Sequence, residues 1–192
     1  MIDTMAPDTT TTTVPEGTIV IGTADTPRGP FGAVYTSRGL ACLTFPDESL
    51  AGCEAWVRKH GQGATVIHDH PVLATLSAEL TAYFEGTLRT FSLPLDLRGT
   101  PFQLEVWQAL QTIPYGEVST YGAIAKAIGR PRAVRAVGMA NHSNPVAVIV
   151  PCHRVVGSNG ALIGYGGGLE LKQRLLQGEG VVLGPGSRKA TR

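Results

Sequence analysis

Residues 119–140 read STYGAIAKAIGRPRAVRAVGMA, and the architecture turns on them. Ser119 or Thr120 can cap a helix from Tyr121 to Ile128, which Gly129 stops. Pro131 favours an immediate restart that runs through Ala140, because proline is preorganised for a first helical turn. Two helices joined by a short glycine-containing turn make a helix-turn-helix. The second helix is unusual in composition. Arg130, Arg132 and Arg135 crowd its start, with Lys126 just before them, while Ala133, Ala136, Gly138 and Ala140 keep it slim. Arginines beside small side chains let a helix come close to a phosphate backbone or a groove floor. The same small residues would also suit tight packing inside the protein, so this pattern alone supports either use.

Upstream, Thr100-Pro101-Phe102-Gln103 offers an N-cap, a first-turn proline and the glutamine of a capping box. Val106, Trp107, Leu110 and Ile113 carry that helix to Pro114-Tyr115-Gly116, and Arg98-Gly99 marks a domain junction. Before it, Thr18–Ile21, Phe31–Tyr35 and Leu40–Phe45 read as short strands of an antiparallel meander. Ser49 is expected to cap a helix with Leu50, Cys53, Trp56 and Val57 on one face. Pro71 begins another, with Val72, Leu73, Leu76, Leu80, Tyr83 and Phe84 inward. Phe91, Leu93, Leu95 and Leu97 alternate like a strand, and Pro94 assigns it to an edge. The expected fold class is α+β. It comprises a disordered tail (1–16), an N-terminal antiparallel-sheet domain (17–98), a mainly helical C-terminal domain (99–183) and a flexible basic tail (184–192).

A chain of 192 residues, 43% hydrophobic, can bury a real core. No apolar run is long enough for a membrane span. The first residues lack the basic and apolar regions of a secretory signal. Three widely spaced cysteines, with no CxxC, support neither a disulfide framework nor a zinc ribbon, so the expected compartment is the reducing cytoplasm. Cys42 and Cys53 read as core residues, and His68-Asp69-His70 as a solvated loop rather than a metal site. The net charge of +1 hides an asymmetry: residues 1–99 carry 11 acidic and 6 basic side chains, residues 100–192 carry 4 and 10. Such a split suggests a polyanionic partner for the second half.

The chemistry concentrates at Pro151-Cys152-His153-Arg154-Val155, after the strand-like run Val146–Val150. A cysteine reacts as its thiolate, so it needs a base or a positive field, and His153 and Arg154 are at hand. Neighbours on a strand face opposite ways, so His153 serves Cys152 only if the chain turns or a water bridges them. A lone Cys-His pair could equally be inert.

The surrounding motifs settle that choice. From Asn144-Pro145 to Val155 the chain resembles the active-site signature of the O6-alkylguanine-DNA alkyltransferases, the suicide DNA-repair proteins. The likeness extends from Gly99 to Gly180 through Gly-Thr-Pro-Phe-Gln (99–103), Val106-Trp107, Ile113 to Val118, Tyr121, Arg135 to Gly138 and Gly164 to Gly168. It implies a ribonuclease-H-like N-terminal domain and a helix-turn-helix that enters the minor groove of duplex DNA. Thr120, Lys126, Arg130, Arg132, Arg135, Ala136 and Gly138 would form the DNA surface, with Arg135 filling the stack after the damaged nucleotide is flipped. Cys152 would accept the alkyl group, His153 would take its proton through a water, and Glu179 would hold the histidine. Asn144 would link the DNA helix to the cysteine turn, and Tyr121 would assist flipping and the leaving oxygen. Tyr121, Val155, Tyr165, Gly166 and Gly167 would form the base pocket. The implied partner is duplex DNA carrying O6-alkylguanine, bound by a monomer that could act cooperatively. The resemblance implies no cofactor and no metal. Relatives that sense damage without repairing it carry tryptophan at the cysteine position, so Cys152 favours transfer over the sensor alternative. A cysteine hydrolase would leave Arg135 and the basic second half without a purpose.

Overall fold

The computed structural model describes residues 13–182 apart from 47 and 49. Strands β1 (Thr18–Ala24), β2 (Phe31–Thr36) and β3 (Gly39–Leu43) form the expected antiparallel meander. A short fourth strand, β4 (Thr65–Ile67), joins β1 in parallel, which makes the sheet mixed, in the order β3-β2-β1-β4. Helix α1 (Ala51–His60) supplies the crossover that a parallel pair requires. Its N-cap is Leu50, without a side-chain bond, and the expected cap Ser49 lies outside the described residues.

The period-two alternation of β1 sorts its side chains onto two helices. Ile19 and Ile21 join Val34, Ala41 and Cys42 against Cys53 and Trp56 of α1, so both cysteines are core residues as expected. Val20 joins Phe31, Ala33, Tyr35 and Leu40 against Leu73, Leu76, Leu80 and Tyr83 of α2 (Val72–Phe84). With a helix on each face, β2 is buried along its whole length. At the β2–β3 turn Gly39 has φ 131°, and a Cβ there would meet the Pro94 carbonyl at 2.2 Å. Only glycine fits.

Three expectations for the N-terminal half are corrected. The last residues of the expected tail are ordered into the fold: Val14 is buried in the core and Thr18 N donates to Pro15 O. Residues 91–97 form no edge strand, and a single bridge joins Leu95 to Leu40. The apolar alternation misled because the fully buried residue is Asp96, held by Thr36, Arg38 and Arg98, while Phe91, Leu93, Leu95 and Leu97 are half-buried. Finally, the β-structure is not purely antiparallel, as β4 shows.

The C-terminal part is mainly helical. In α3 (Pro101–Gln111) the capping box is formed in full, Thr100 with Gln103. Thr120 caps α4 (Tyr121–Ala127), accepting from Ala123 N, and Gly129 at φ 71° turns the chain. The second helix of the pair, α5 (Val134–His142), starts three residues later than expected, so Pro131 and Arg132 lie in the turn rather than the first helical turn. Arg130 N bonds Ala125 O and Ala133 N bonds Arg130 O, which uses these residues to close the turn. Residues 146–150 are not a strand. Val148 takes φ 74° and the run folds back, with Val150 N on Val146 O, although all but Ile149 are buried. The two halves meet at Leu43 and Val146, where Leu43 N donates to Pro145 O. Two-residue strands β5 (Ser119–Thr120) and β6 (Val155–Val156) pair in parallel, and α6 (Gly168–Gly178) closes the fold.

Candidate active site and nucleic-acid interface

Cys152 begins a single 3-10 turn, Cys152–Arg154, and this turn answers the geometric difficulty of adjacent cysteine and histidine. All three residues are buried. Asn144 holds the approach to the turn: its Nδ2 donates to Val150 O at 2.8 Å and its Oδ1 accepts from Val146 N. Asn141, which the sequence reading passed over, donates to Cys152 O from α5. The end of the helix-turn-helix is thereby tied to the thiol. Burial pushes the Cys152 thiol up, while an Asn144 hydrogen bond and the nearby Lys172 ammonium oppose that rise.

His153 turns away into the protein and meets Glu179, with Nε2 2.9 Å from Oε1. Burial keeps the imidazole below its usual range, and so neutral, against the pull of Glu179. Its other nitrogen, Nδ1, is buried and has no partner among the described residues. Since Nε2 faces a carboxylate, it carries the proton, and Nδ1 presents a lone pair.

Glu179 follows α6 yet is only 6% exposed. The Arg154 guanidinium donates to both of its oxygens at 2.8–3.1 Å, Gly116 N to Oε2, and Tyr83 from α2 to Oε1. Despite burial, the hydrogen bonds from His153, Arg154 and Tyr83 draw its carboxyl down to about 2. Sequence reasoning names Glu179 but misses Arg154 and Tyr83 as its partners. In the sequence Tyr83 reads as part of the apolar stripe of α2.

Lys172 is another residue the sequence reading missed. It is fully buried, and its Nζ donates to the carbonyls of Val155 at 2.5 Å, Ile163 at 2.8 Å and Gly164 at 3.4 Å. Burial pushes it down to about 8. The signal was a lysine sharing the inward face of α6 with Leu175 and Leu176. Tyr121 shares one of these acceptors, donating to Ile163 O at 3.2 Å. Burial and the Cys152 charge raise its phenol to about 12. Tyr165 packs edge-on against Phe45 of the N-terminal half, and its hydroxyl is buried without a partner among the described residues. Gly166 and Gly167 pass over the same Phe45 ring, where a Cβ on Gly167 would sit 3.1 Å from it.

Above this turn, α5 shows solvent a face of Val134, Arg135, Ala136 and Met139, with Met139 68% exposed. Gly138 on the same helix lies against Tyr121. Lys126 and Arg132 are exposed beside it. Arg130 differs, because its guanidinium is paired with Glu105 through two hydrogen bonds and sits over the Phe102 ring.

A buried thiol, a neutral histidine oriented by a carboxylate, and a cationic helix-turn-helix tied to both define a site for thiol chemistry beside an anion-binding surface. Comparison with known proteins is consistent with it. Residues 101–181 match the model described as 6-O-methylguanine DNA methyltransferase, DNA binding domain, and residues 19–97 match that of its ribonuclease-like domain. The chain belongs to the 6-O-methylguanine-DNA methyltransferase family. It is 62% identical over 139 residues to the methylated-DNA–protein-cysteine methyltransferase of Mycolicibacterium paratuberculosis, covering 72% of this chain and 84% of that one. It is 59% identical over 158 residues to the protein of the same name from Methanosarcina acetivorans, covering 81% and 95%. The crystal structure of Mycobacterium tuberculosis O6-methylguanine methyltransferase superposes with a TM-score of 0.71 at 41% identity, covering 91% of this chain and 96% of that one. The M. tuberculosis protein in complex with DNA gives 0.72 at 44% identity, covering 83% and 92%.

Proposed function

We propose that this protein repairs DNA by moving the O6-alkyl group of guanine, and the O4-alkyl group of thymine, irreversibly onto Cys152, once per molecule. The observation that carries the reading is the relay itself: a thiol on the turn that holds His153, with Glu179 fixing the histidine proton on Nε2 and leaving Nδ1 open. A sensor that only bound the lesion would have no use for it. Residues 17–98 would form one domain and 99–183 a second, working as a monomer on duplex DNA in the cytoplasm. Among the described residues no helix is long and apolar enough to cross a membrane.

The damaged nucleotide is flipped from the stack, because the alkyl carbon cannot meet a buried thiol while the base stays paired. Arg135, exposed on α5, fills the gap. A water between Cys152 and His153 Nδ1 carries the thiol proton to the imidazole. The sulfur then attacks the alkyl carbon in line, the carbon–O6 bond breaks, and a thioether forms. Tyr121, protonated at neutral pH, leaves the Ile163 carbonyl and gives its proton to the departing guanine anion, and the imidazolium restores the phenol proton through solvent. No group in the site can reverse a thioether, so each molecule acts once.

Incubation with duplex DNA containing O6-methylguanine, followed by intact-mass measurement, tests the reading. One methyl mass gained and mapped to Cys152 is the expected result. Tight binding with no mass gain would make the protein a sensor.

A further inference from the structure

Tyr83 reaches the proton relay from the other half of the molecule. It lies in the last turn of α2, is 4% exposed, and packs edge-on against Tyr115 with ring centroids 6.0 Å apart. Its hydroxyl donates to Glu179 Oε1 at 2.5 Å and stands 3.3 Å from His153 Nε2. We infer that Tyr83 is a positioning residue for alkyl transfer, its hydroxyl clamping the Glu179 carboxylate against His153 and setting how basic the open Nδ1 is.

A phenol has one proton, and here it faces an ionised carboxylate, so the proton points to Oε1. The phenol oxygen then turns a lone pair towards Nε2. With Glu179 Oε1 also accepting there, Nε2 must be the protonated nitrogen. The groups facing the imidazole are Tyr83 from α2, Glu179 after α6, Lys172 on α6, and Cys152 and Arg154 on its own turn. Glu179 favours the imidazolium, while Arg154 and Lys172 oppose it. A hydroxyl donating to Glu179 draws off part of that carboxylate's charge and so weakens its pull on His153. The lone pair facing Nε2 works the other way, but at 3.3 Å it is weaker than the 2.5 Å charge-assisted bond to Glu179, so removing the hydroxyl makes the imidazole more basic, and the pH below which His153 can no longer accept a proton rises. The docking of α2 thus enters the chemistry as well as the stability.

This inference deepens the alkyl-transfer reading and is tested so that the two can fail separately. The full chain and its Tyr83→Phe variant are alkylated with iodoacetamide from about pH 5 to 9, with Cys152 followed by peptide mass. Methyl transfer from duplex DNA containing O6-methylguanine is measured alongside. In Tyr83→Phe the acid limb of the Cys152 rate should move up by roughly half a pH unit, the size of one hydrogen bond's influence on a neighbouring titration. A 3-fluorotyrosine at position 83, a stronger donor of nearly the same size, should move it down. Superimposable limbs overturn the inference, whatever the plateau rates. If Tyr83→Phe does not fold, the fluorotyrosine protein decides alone. If the limbs shift but no methyl leaves the DNA, the function reading fails, and what stands is that Tyr83 sets the basicity of His153.

Discussion

Arg154 and Glu179 show what single residues contribute here. Arg154 adjoins the reactive thiol in sequence and reads there as a source of positive field, yet its guanidinium is spent on Glu179 and on the Ile113 carbonyl. Glu179 therefore holds two partners at once, His153 of the proposed relay and the buried Arg154. Replacing it by glutamine removes the charge that steadies His153 and leaves Arg154 buried without a counter-charge. Both rate and stability should fall, the latter by roughly 3 kcal/mol, the scale of breaking a buried ion pair. Denaturant unfolding of Glu179→Gln, set beside its methyl-transfer rate, checks this, and unchanged stability would mean that Arg154 finds other partners. Cys152→Ser separates chemistry from docking instead. An alcohol is hardly ionised at neutral pH, so transfer should vanish, while lesion-DNA affinity in a gel-shift titration should hold because the cationic surface is elsewhere. Arg135→Ala should slow transfer from duplex far more than from free O6-methylguanine base, which needs no flipping. Equal slowing would remove Arg135 from that role.

At the scale of elements, the helix-turn-helix decides how the protein meets a polyanion. Among the described residues, only Lys126, Arg132 and Arg135 of its cations stand exposed without a carboxylate partner, since Arg130 is held by Glu105. With Arg135 assigned to the base stack, phosphate contacts from Lys126 and Arg132 would give a slope of about −2 in log affinity against log salt on undamaged duplex. Arg132→Ala should make the slope shallower, and Arg130→Ala should barely change it. Equal effects would show that Glu105 releases Arg130 on DNA. These elements were legible because their signals are local: the Thr100 capping box, the Thr120 cap and the Gly129 stop each need only a few neighbouring residues. The misread segments depend on distant partners. Asp96 is buried only because Thr36, Arg38 and Arg98 converge on it, and no local pattern shows that. Residues 146–150 have a strand's composition, but the left-handed backbone at Val148 folds them back beneath the cysteine turn. The cysteine motif pointed to Cys152 and His153, and the family resemblance added Asn144 and Glu179, whose place after α6 reads by itself as a solvated turn. Tyr83 and Lys172 were hidden because each reads first as part of an amphipathic helix.

For the whole molecule, the site doubles as a latch between halves, and its ionisation couples folding to pH. Glu179 in the folded protein is drawn down to about 2, and Asp96 is also lowered by the arginines around it. A carboxyl with a depressed folded pKa contributes stability that is whole above its unfolded value, near 4.5, and is lost as pH falls towards 2. For Glu179 that is about 3 kcal/mol, since each tenfold change in proton affinity between the folded and unfolded chain is worth roughly 1.4 kcal/mol. His153 adds to the same limb. It is held neutral by burial, so the unfolded chain takes up a proton below about pH 6.5 that the folded one refuses. Stability should therefore climb steadily from pH 2 to about 7. Lys172, pushed down to about 8, extends the climb above neutrality, where the raised Cys152 and Tyr121 begin to oppose it. Urea unfolding at closely spaced pH values follows the acid limb directly. The limb should be markedly flatter in Glu179→Gln, which has no carboxyl to titrate at that position and starts from a lower plateau. An acid limb of the same steepness in the variant would place the sensitivity in other carboxylates, Asp96 first among them, and would reduce Glu179 to its part in the chemistry.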